Sequence, residues 1–228
     1  MIKIKPKLIT FDVYSALVDI NKGLVPILQE ITNMHFEKSL SIIKNWRIKQ
    51  METLQLSNSL NDGRVSYYEC TKKSLEYICK IYELHINKNE EIELISTWDH
   101  LPLWPEANQV ISKIINKDYK IAILSNGDQE MLENLNQTFS FNFNYILSTE
   151  TNGYYKPHPT VYELPNSVLG IDKKETLHIA GSSSDVIGST SFGLPCYWSN
   201  RKNDILIDPK YLPDYESRDL FNLNKILI

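Results

Sequence analysis

The sequence has few cysteines and no long apolar run, and both absences limit what the protein can be. Cys70, Cys79 and Cys196 are an odd number of thiols without a CxxC spacing, which argues against a disulfide framework and against a zinc site. Free thiols fit a reducing cytosol. No apolar run approaches the roughly 20 residues of a membrane-spanning helix, and residues 1–12 lack the apolar stretch of a signal peptide. We therefore expect a cytoplasmic protein with no membrane partner.

The chain also lacks an excess of basic charge. Its 24 lysines and arginines are outnumbered by 28 aspartates and glutamates, which gives a net charge of −4. Basic residues form only short pairs such as Lys72-Lys73, which suit a solvated helix surface better than a track along a phosphate backbone. Nucleic acid is therefore not an expected partner. The 228 residues, 42% of them hydrophobic, suffice for a core domain with a smaller insert.

Five short apolar runs predict strands that are buried on both faces of a parallel sheet. These runs lie at residues 8–11, 121–124, 145–147, 177–180 and 196–198. Segments of helical length lie at residues 106–117, 129–137, 160–169 and 185–192. This alternation predicts an α/β fold with a doubly wound, mostly parallel, Rossmann-like sheet.

Residues 21–99 interrupt this alternation. Apolar residues there recur near helical spacing, as the following positions illustrate: Ile42, Ile43, Trp46, Met51, Leu54, Leu75, Ile78, Cys79 and Tyr82. Residues 57–59 together with 61–63 predict a turn between two of the helices. We predict an all-helical cap domain at residues 21–99, inserted into a core domain of residues 1–20 and 100–228.

Polar side chains follow four of the predicted strands. In chain order they are Asp12, then Ser125 and Asn126, then Lys156, then Ser182 and Asp185. Ligands of open α/β sheets bind beyond the carboxyl ends of the strands, so we expect these groups at one edge. A carboxylate can form an ester with an electrophilic carbon or phosphorus, a lysine favours its ionised form, and a second carboxylate can orient water or bind Mg²⁺. Each residue alone is more often a cap or turn residue, but four such placements favour a site.

At these positions the chain resembles the haloacid dehalogenase superfamily, and within it the 2-haloacid dehalogenase (type II) branch. Residues 11–19 resemble its FDxYGTLFD motif, residues 121–127 its second motif, residues 155–162 its YKPxxxVY motif and residues 178–201 its fourth. Residues 46–50, Trp-Arg-Ile-Lys-Gln, match the Trp-Arg-x-Lys-Gln signature of the cap. The resemblance covers nearly the whole chain and implies the fold of that superfamily with an inserted helical cap.

The resemblance implies a hydrolase that displaces halide from a 2-haloacid, or a similar small anionic substrate, through an ester on Asp12. Lys156 would keep Asp12 ionised, and Asp185 would help water attack the ester. Ser125 would hold the substrate carboxylate, whereas Arg47 and Asn126 would cradle the halide. Further contacts with the substrate are implied for Tyr14, Tyr67, Tyr162 and Ser182, although the tyrosines are equally interpreted as pocket wall. No cofactor is implied, and a homodimer stays open.

Two departures from the motifs keep an alternative open. In that alternative, the chain would be a catalytically impaired member of the superfamily that binds a ligand or a protein. Ser15-Ala16 replaces Gly-Thr, so a threonine hydroxyl is lost and Ser15 lies one residue from its position. Residues 180–185 read Ala-Gly-Ser-Ser-Ser-Asp instead of Ser-Ser-Asn-Ala-Trp-Asp, which predicts a wider and wetter pocket. Loss of one positioned polar group can reduce a rate by about 10²–10³.

A second alternative is a Mg-dependent phosphatase that uses Asp12 and Asp185 as metal ligands. Phosphatases of the superfamily usually carry a second aspartate two residues after the nucleophile, as a general acid for the leaving alcohol. This chain has Tyr14 at that position. Because a halide leaves without a proton, Tyr14 favours dehalogenation over hydrolysis of phosphate monoesters.

Overall fold

A six-stranded sheet organises the core of the computed structural model, which describes residues 5–60 and 63–228. Its strands are β1 (Leu8–Phe11), β2 (Lys120–Ser125), β3 (Tyr145–Ser148), β4 (Thr176–Ala180), β5 (Cys196–Ser199) and β6 (Tyr215–Ser217). Their spatial order is β3-β2-β1-β4-β5-β6, and every neighbouring pair is parallel. The sheet therefore winds in both directions from β1, which confirms the predicted doubly wound α/β fold.

Helices lie between most of the parallel strands, because a parallel pair requires a crossover connection. From β1 to β5 these core helices are α5 (Ala107–Ile115), α6 (Gln129–Gln137), α7 (Pro159–Tyr162), α8 (Leu164–Leu169) and α9 (Ser183–Phe192). A segment without a helix joins β5 to β6, and α10 (Leu223–Ile226) follows β6. The helix predicted at residues 160–169 is divided into α7 and α8. Pro165 lies in the first turn of α8. It cannot continue α7, because it lacks an N–H and its ring would clash with the carbonyl four residues earlier.

Strand β6 was not predicted from the sequence. It is only three residues long and lies at the edge of the sheet. Tyr215 and Ser217 are half-buried and Glu216 is exposed, so the segment lacks the continuous apolar run that identified the central strands.

The central strands are buried along their length because both faces of the sheet are covered. All residues of β1, β4 and β5 are buried. One apolar cluster joins three strands to α7 and α8 and contains Leu8, Ala122, Leu124, Leu147, Val161, Tyr162, Leu164 and Leu194. A second cluster contains Ala180, Val186, Cys196 and Trp198. Burial of these side chains supplies the main driving force for folding of the sheet.

The chain divides into two compact units, Asp19–Pro102 and the remainder, which joins the residues up to Val18 to Leu103–Ile228. The first unit contains α1 (Ile20–Thr32), α2 (Phe36–Ser59), α3 (Tyr67–Tyr82) and α4 (Lys88–Ser96). Trp98 packs edge-to-face against Trp46 and Tyr67, with ring centroids 5.7 and 6.1 Å apart. Residues 57–59 of the predicted turn form the end of α2, whereas Asn61 and Asp62 lie outside the described residues.

The structure bears on the thiols and on membrane-spanning helices. Cys70, Cys79 and Cys196 are free thiols, as their odd number and spacing indicated. Within residues 5–60 and 63–228, no helix has the length and apolar character needed to cross a bilayer.

Gly188 on α9 provides a test of the packing around Tyr162. An added Cβ would lie 2.3 Å from the Tyr162 hydroxyl oxygen and 2.7 Å from Pro157 Cβ. A glycine-to-alanine change inside a helix usually gains up to about 1 kcal/mol, whereas overpacking costs about 1–3 kcal/mol. We expect Gly188→Ala to lower the free energy of unfolding in urea by about 1–2 kcal/mol. The exposed Ser191→Ala on the same helix should change it by less than about 0.5 kcal/mol, and a gain in stability for Gly188→Ala would contradict this packing.

Candidate active site

Asp12 lies directly beyond the end of β1, at the start of a π-helical turn formed by Val13–Leu17. Its backbone N–H donates to the carbonyl oxygen of Ile179 over 2.9 Å, which fixes it beside β4. On the π-helical turn, the Ser15 hydroxyl donates to Oδ2 of Asp12. Ser15 therefore contacts the carboxylate, although it lies one residue from the position of the lost threonine.

Lys156 brings two buried carboxylates together. Its Nζ lies 3.6 Å from Oδ1 of Asp12 and 3.1 Å from Oδ2 of Asp185. The backbone N–H of Lys156 donates to Oδ1 of Asn126 over 2.9 Å. Asp12, Lys156 and Asp185 are only 8%, 5% and 4% exposed, so water screens their charges weakly. One ammonium group therefore lies within attractive range of both carboxylates.

Both carboxylate oxygens of Asp185 have partners. The Tyr162 hydroxyl donates to Oδ1 over 2.8 Å, and Nε2 of His178 lies 2.9 Å from Oδ2. Burial alone would raise the pKa of Asp185, but the charge of Lys156 and the contacts with His178 and Tyr162 outweigh it and hold that pKa below its ordinary value. Burial and the neighbouring Asp185 raise the pKa of Tyr162. The site therefore keeps Asp185 ionised and Tyr162 protonated.

The other predicted residues of the core unit lie at the same edge of the sheet. Ser125 ends β2 one position beyond the level of Asp12, since Phe11 pairs with Ile123. The Ser125 hydroxyl is fully buried and has no hydrogen-bond partner among the described residues. A buried hydroxyl without a partner costs free energy, so this group is a candidate donor within the site.

Tyr14 and Ser182 have well-defined surroundings. Tyr14 is buried in the π-helical turn. A Cβ added to Gly127 would lie 2.9 Å from its hydroxyl oxygen, so the glycine allows this close approach. Ser182 is the N-cap of α9, and its hydroxyl accepts from the backbone N–H of Asp185 over 3.4 Å. Ser182 thus helps to begin the helix that carries Asp185.

Arg47 and Tyr67 belong to the helical unit and contact each other there. Nη1 of Arg47 donates to the Tyr67 hydroxyl over 2.9 Å and also to Oε1 of Gln50. The guanidinium carbon lies 5.5 Å from the centroid of a Trp98 ring, within the range of cation–π attraction. The helical unit therefore holds the Arg47 side chain in a fixed environment.

Sequence reasoning did not single out Thr10 and His178 as functional residues. Both are buried polar side chains inside otherwise apolar strands, and they pair in register across β1 and β4. The sequence does show a polar residue within each of these apolar strands. It does not show that the two residues contact each other, because 168 positions separate them.

The acids of the site do not form a set of ligands for a divalent cation. Among the described parts of the chain, no group of three or more His, Cys, Asp and Glu side chains is placed to hold a metal ion. At Asp12 and Asp185, the Lys156 ammonium already contacts both carboxylates, and a cation bound between them would be repelled by it. These residues do not fit a Mg²⁺ site.

Known proteins resemble this chain over nearly its whole length. A profile of the haloacid dehalogenase-like hydrolase family matches residues 6–193. The (S)-2-haloacid dehalogenase H-109 of Pseudomonas putida is 27% identical over 222 residues, which are 96% of this chain and 97% of that protein. Haloacetate dehalogenase H-2 of Moraxella sp. (strain B) is 27% identical over 213 residues, covering 92% and 93% of the two chains. The solved structure of L-2-haloacid dehalogenase from Xanthobacter autotrophicus is similar in fold, with a TM-score of 0.82 at 23% identity over 99% of this chain and 98% of that one.

The lowered pKa of Asp185 predicts how stability depends on pH. A carboxyl group with a depressed pKa in the folded state contributes stability above its unfolded pKa, which is about 3.9 for aspartate, and this contribution is lost as the pH falls toward the folded value. At pH 7 we expect Asp185→Asn to lower the free energy of unfolding by about 3 kcal/mol, because Lys156 loses a buried partner.

The difference between wild type and Asp185→Asn should be complete above about pH 5 and should shrink below about pH 4. Urea unfolding at a series of pH values measures it, with Asp208→Asn as a control on an exposed aspartate. A difference that stays constant down to pH 3 would show that the charge of Asp185 does not contribute.

Proposed function

The chain belongs to the haloacid dehalogenase-like hydrolases, and on that premise we propose that it hydrolytically removes halide from a 2-haloacid or similar small carboxylate. The observation that carries this proposal is the buried Asp12 carboxylate, held by Ser15 and within 3.6 Å of the Lys156 ammonium. The second residue after it is Tyr14 and not an acid, so no carboxyl group at that position can protonate a leaving alcohol.

The proposed reaction has two steps. In the first, Oδ1 or Oδ2 of Asp12 forms a bond to C2 of the substrate, and the carbon–halogen bond breaks with its electron pair leaving on the halide. In the second, water attacks Cγ of the Asp12 ester and the 2-hydroxy acid leaves. The bond from Cγ to the substrate oxygen breaks, one proton of the water is transferred to that oxygen, and the other is released when the Asp12 carboxyl ionises again. Lys156 favours that ionised form.

The substrate is bound through its negative charge. The unpaired, buried hydroxyl of Ser125 is a donor for the substrate carboxylate, and Asn126 lies directly after it. We assign the halide to Asn126 and Arg47. The relatives named for (S)-2-haloacids and haloacetate support a short 2-halocarboxylate. The rings of Tyr14 and Tyr162 form walls of the site near the acids. Ser182 contributes indirectly, because it caps the start of α9, the helix that carries Asp185.

We assign the role of a cap domain to the helical unit, Asp19–Pro102. It carries Arg47 and Tyr67, whose mutual hydrogen bond keeps the guanidinium in one orientation. We place the activity in the cytoplasm, which the three free thiols support. The reaction requires no cofactor.

Halide release is the direct test of the proposed function. We expect the wild-type protein to release chloride from L-2-chloropropionate and Asp12→Asn to release none above background, because the amide is a poor nucleophile. Activity should persist in EDTA. Phosphate release from monoesters that depends on Mg²⁺ would instead favour a phosphatase. Absence of turnover and of any ester on Asp12 with either substrate class would favour a binding protein.

Ser15 offers a second test, since its hydroxyl donates to Asp12. Ser15→Ala should lower kcat by about 10-fold or more because the attacking oxygen loses its fixed orientation, and it should change KM little. Steady-state kinetics with L-2-chloropropionate measure both constants. Ser191→Ala, an exposed serine on α9, should keep the wild-type values. An unchanged kcat for Ser15→Ala would mean that Lys156 alone orients the nucleophile.

A further inference from the structure

A buried histidine links β1 to the acid on α9. His178 is fully buried, its Nδ1 lies 2.8 Å from the Thr10 hydroxyl, and its Nε2 lies 2.9 Å from Oδ2 of Asp185. The Tyr162 ring packs edge-to-face against the imidazole, with centroids 5.8 Å apart. Each ring nitrogen therefore has a polar partner, as a buried imidazole requires.

These partners determine which nitrogen carries the hydrogen in the neutral ring. A carboxylate oxygen only accepts hydrogen bonds, so Nε2 must be the donor to Asp185. Nδ1 then accepts from the Thr10 hydroxyl, which can rotate to donate. The opposite tautomer would place two lone pairs against each other at 2.9 Å. Nζ of Lys156 lies farther from Nε2, at 3.5 Å, and does not change this assignment.

The hydrogen bond from His178 matters because, among residues 5–60 and 63–228, Oδ2 of Asp185 has one other close partner, the Lys156 ammonium. Lys156 also contacts Asp12, and the charge of Asp12 is removed when that residue becomes an ester. The contact between Lys156 and the nucleophile therefore changes during the reaction, whereas the Thr10–His178–Asp185 chain of hydrogen bonds does not. These hydrogen bonds hold Asp185 at a constant position relative to β1 and β4.

We propose that His178 is a positioning residue, which holds Asp185 for hydrolysis of the Asp12 ester and has little part in forming that ester. This inference rests on the proposed function. In the step concerned, the water oxygen bonds to Cγ of Asp12, the bond from Cγ to the substrate oxygen breaks, and one water proton passes to that oxygen. A misplaced Asp185 slows this step by misorienting the water, an effect of about 10²-fold for errors near 1 Å.

The test separates the two steps with four variants. His178→Phe keeps a ring of similar size but removes both nitrogens, whereas His178→Gln retains a side-chain N–H donor. Thr10→Val keeps the shape of the threonine and removes the hydroxyl that holds Nδ1. His100→Phe, on an exposed histidine of the helical unit, is the matched control. Circular dichroism and thermal unfolding establish that each variant is folded.

Rapid-quench measurement of chloride from L-2-chloropropionate reports ester formation, and intact-protein mass spectrometry reports ester that has not been hydrolysed. For His178→Phe we expect a burst of about one chloride per protein at the wild-type rate, then turnover slowed about 10²-fold with the ester accumulated on Asp12. Thr10→Val should show the same pattern more weakly, His178→Gln should recover part of the lost turnover, and His100→Phe should match wild type.

Several outcomes would overturn the inference. One is a His178→Phe variant that hydrolyses its ester at the wild-type rate, and another is a folded variant that loses both steps equally. If His178→Phe does not fold, the less disruptive Thr10→Val and His178→Gln replace it in this test. Ester hydrolysis at the wild-type rate in both of these variants would also overturn the inference. A wild-type protein that releases no halide would instead refute the proposed function, and with it the step assigned to His178.

A second readout does not depend on activity. In ¹⁵N NMR spectra of the wild-type protein, Nε2 of His178 should carry a hydrogen, and Asp185→Asn should shift the Nε2 resonance. A ring with its hydrogen on Nδ1 would contradict the geometry on which the inference depends.

Discussion

The site depends on a single ammonium group placed between two buried acids. Moving an ion from water into a protein interior costs several kcal/mol, so a buried lysine is stable only with close partners. Lys156 has two, Asp12 and Asp185. These acids come from β1 and α9, whereas Lys156 follows β3. The parallel sheet brings their elements to the same edge, and the charges in turn bind the ends of those elements together.

The altered motifs are complementary in space. An added Cβ on Gly181 would lie 2.3 Å from the backbone nitrogen of Ala16 and 2.7 Å from the Ser15 hydroxyl oxygen. Glycine in the fourth motif therefore makes room for the π-helical turn that carries Ser15 to Asp12. The loss of a threonine hydroxyl from the first motif is thus accompanied by a new hydroxyl contact and by the space that it needs. The two altered motifs therefore contact each other beside the nucleophile.

Local sequence patterns predicted most of the core. Continuous apolar runs identified β1 to β5, because strands covered on both faces require apolar residues throughout. Helix α6 has the predicted bounds, residues 129–137. The pattern failed at β6, whose half-exposed edge position requires no such run, and at Glu163, where the proline of the next turn divides a helix. Both failures occurred where tertiary position or a single backbone restriction outweighs hydrophobic periodicity.

The amino-acid sequence was sufficient to predict the fold and the identity of the acids and of the lysine at the sheet edge. Hydrophobic periodicity specifies the elements, and parallel topology places the strand ends together. Three contacts are visible only in the folded protein: Ser15 with Asp12, Thr10 with His178, and His178 with Asp185. The reason is that these contacts depend on strand register, on a π-helical turn and on side-chain orientation. Such features fix distances of a few ångströms between residues far apart in the chain, and no local pattern encodes them.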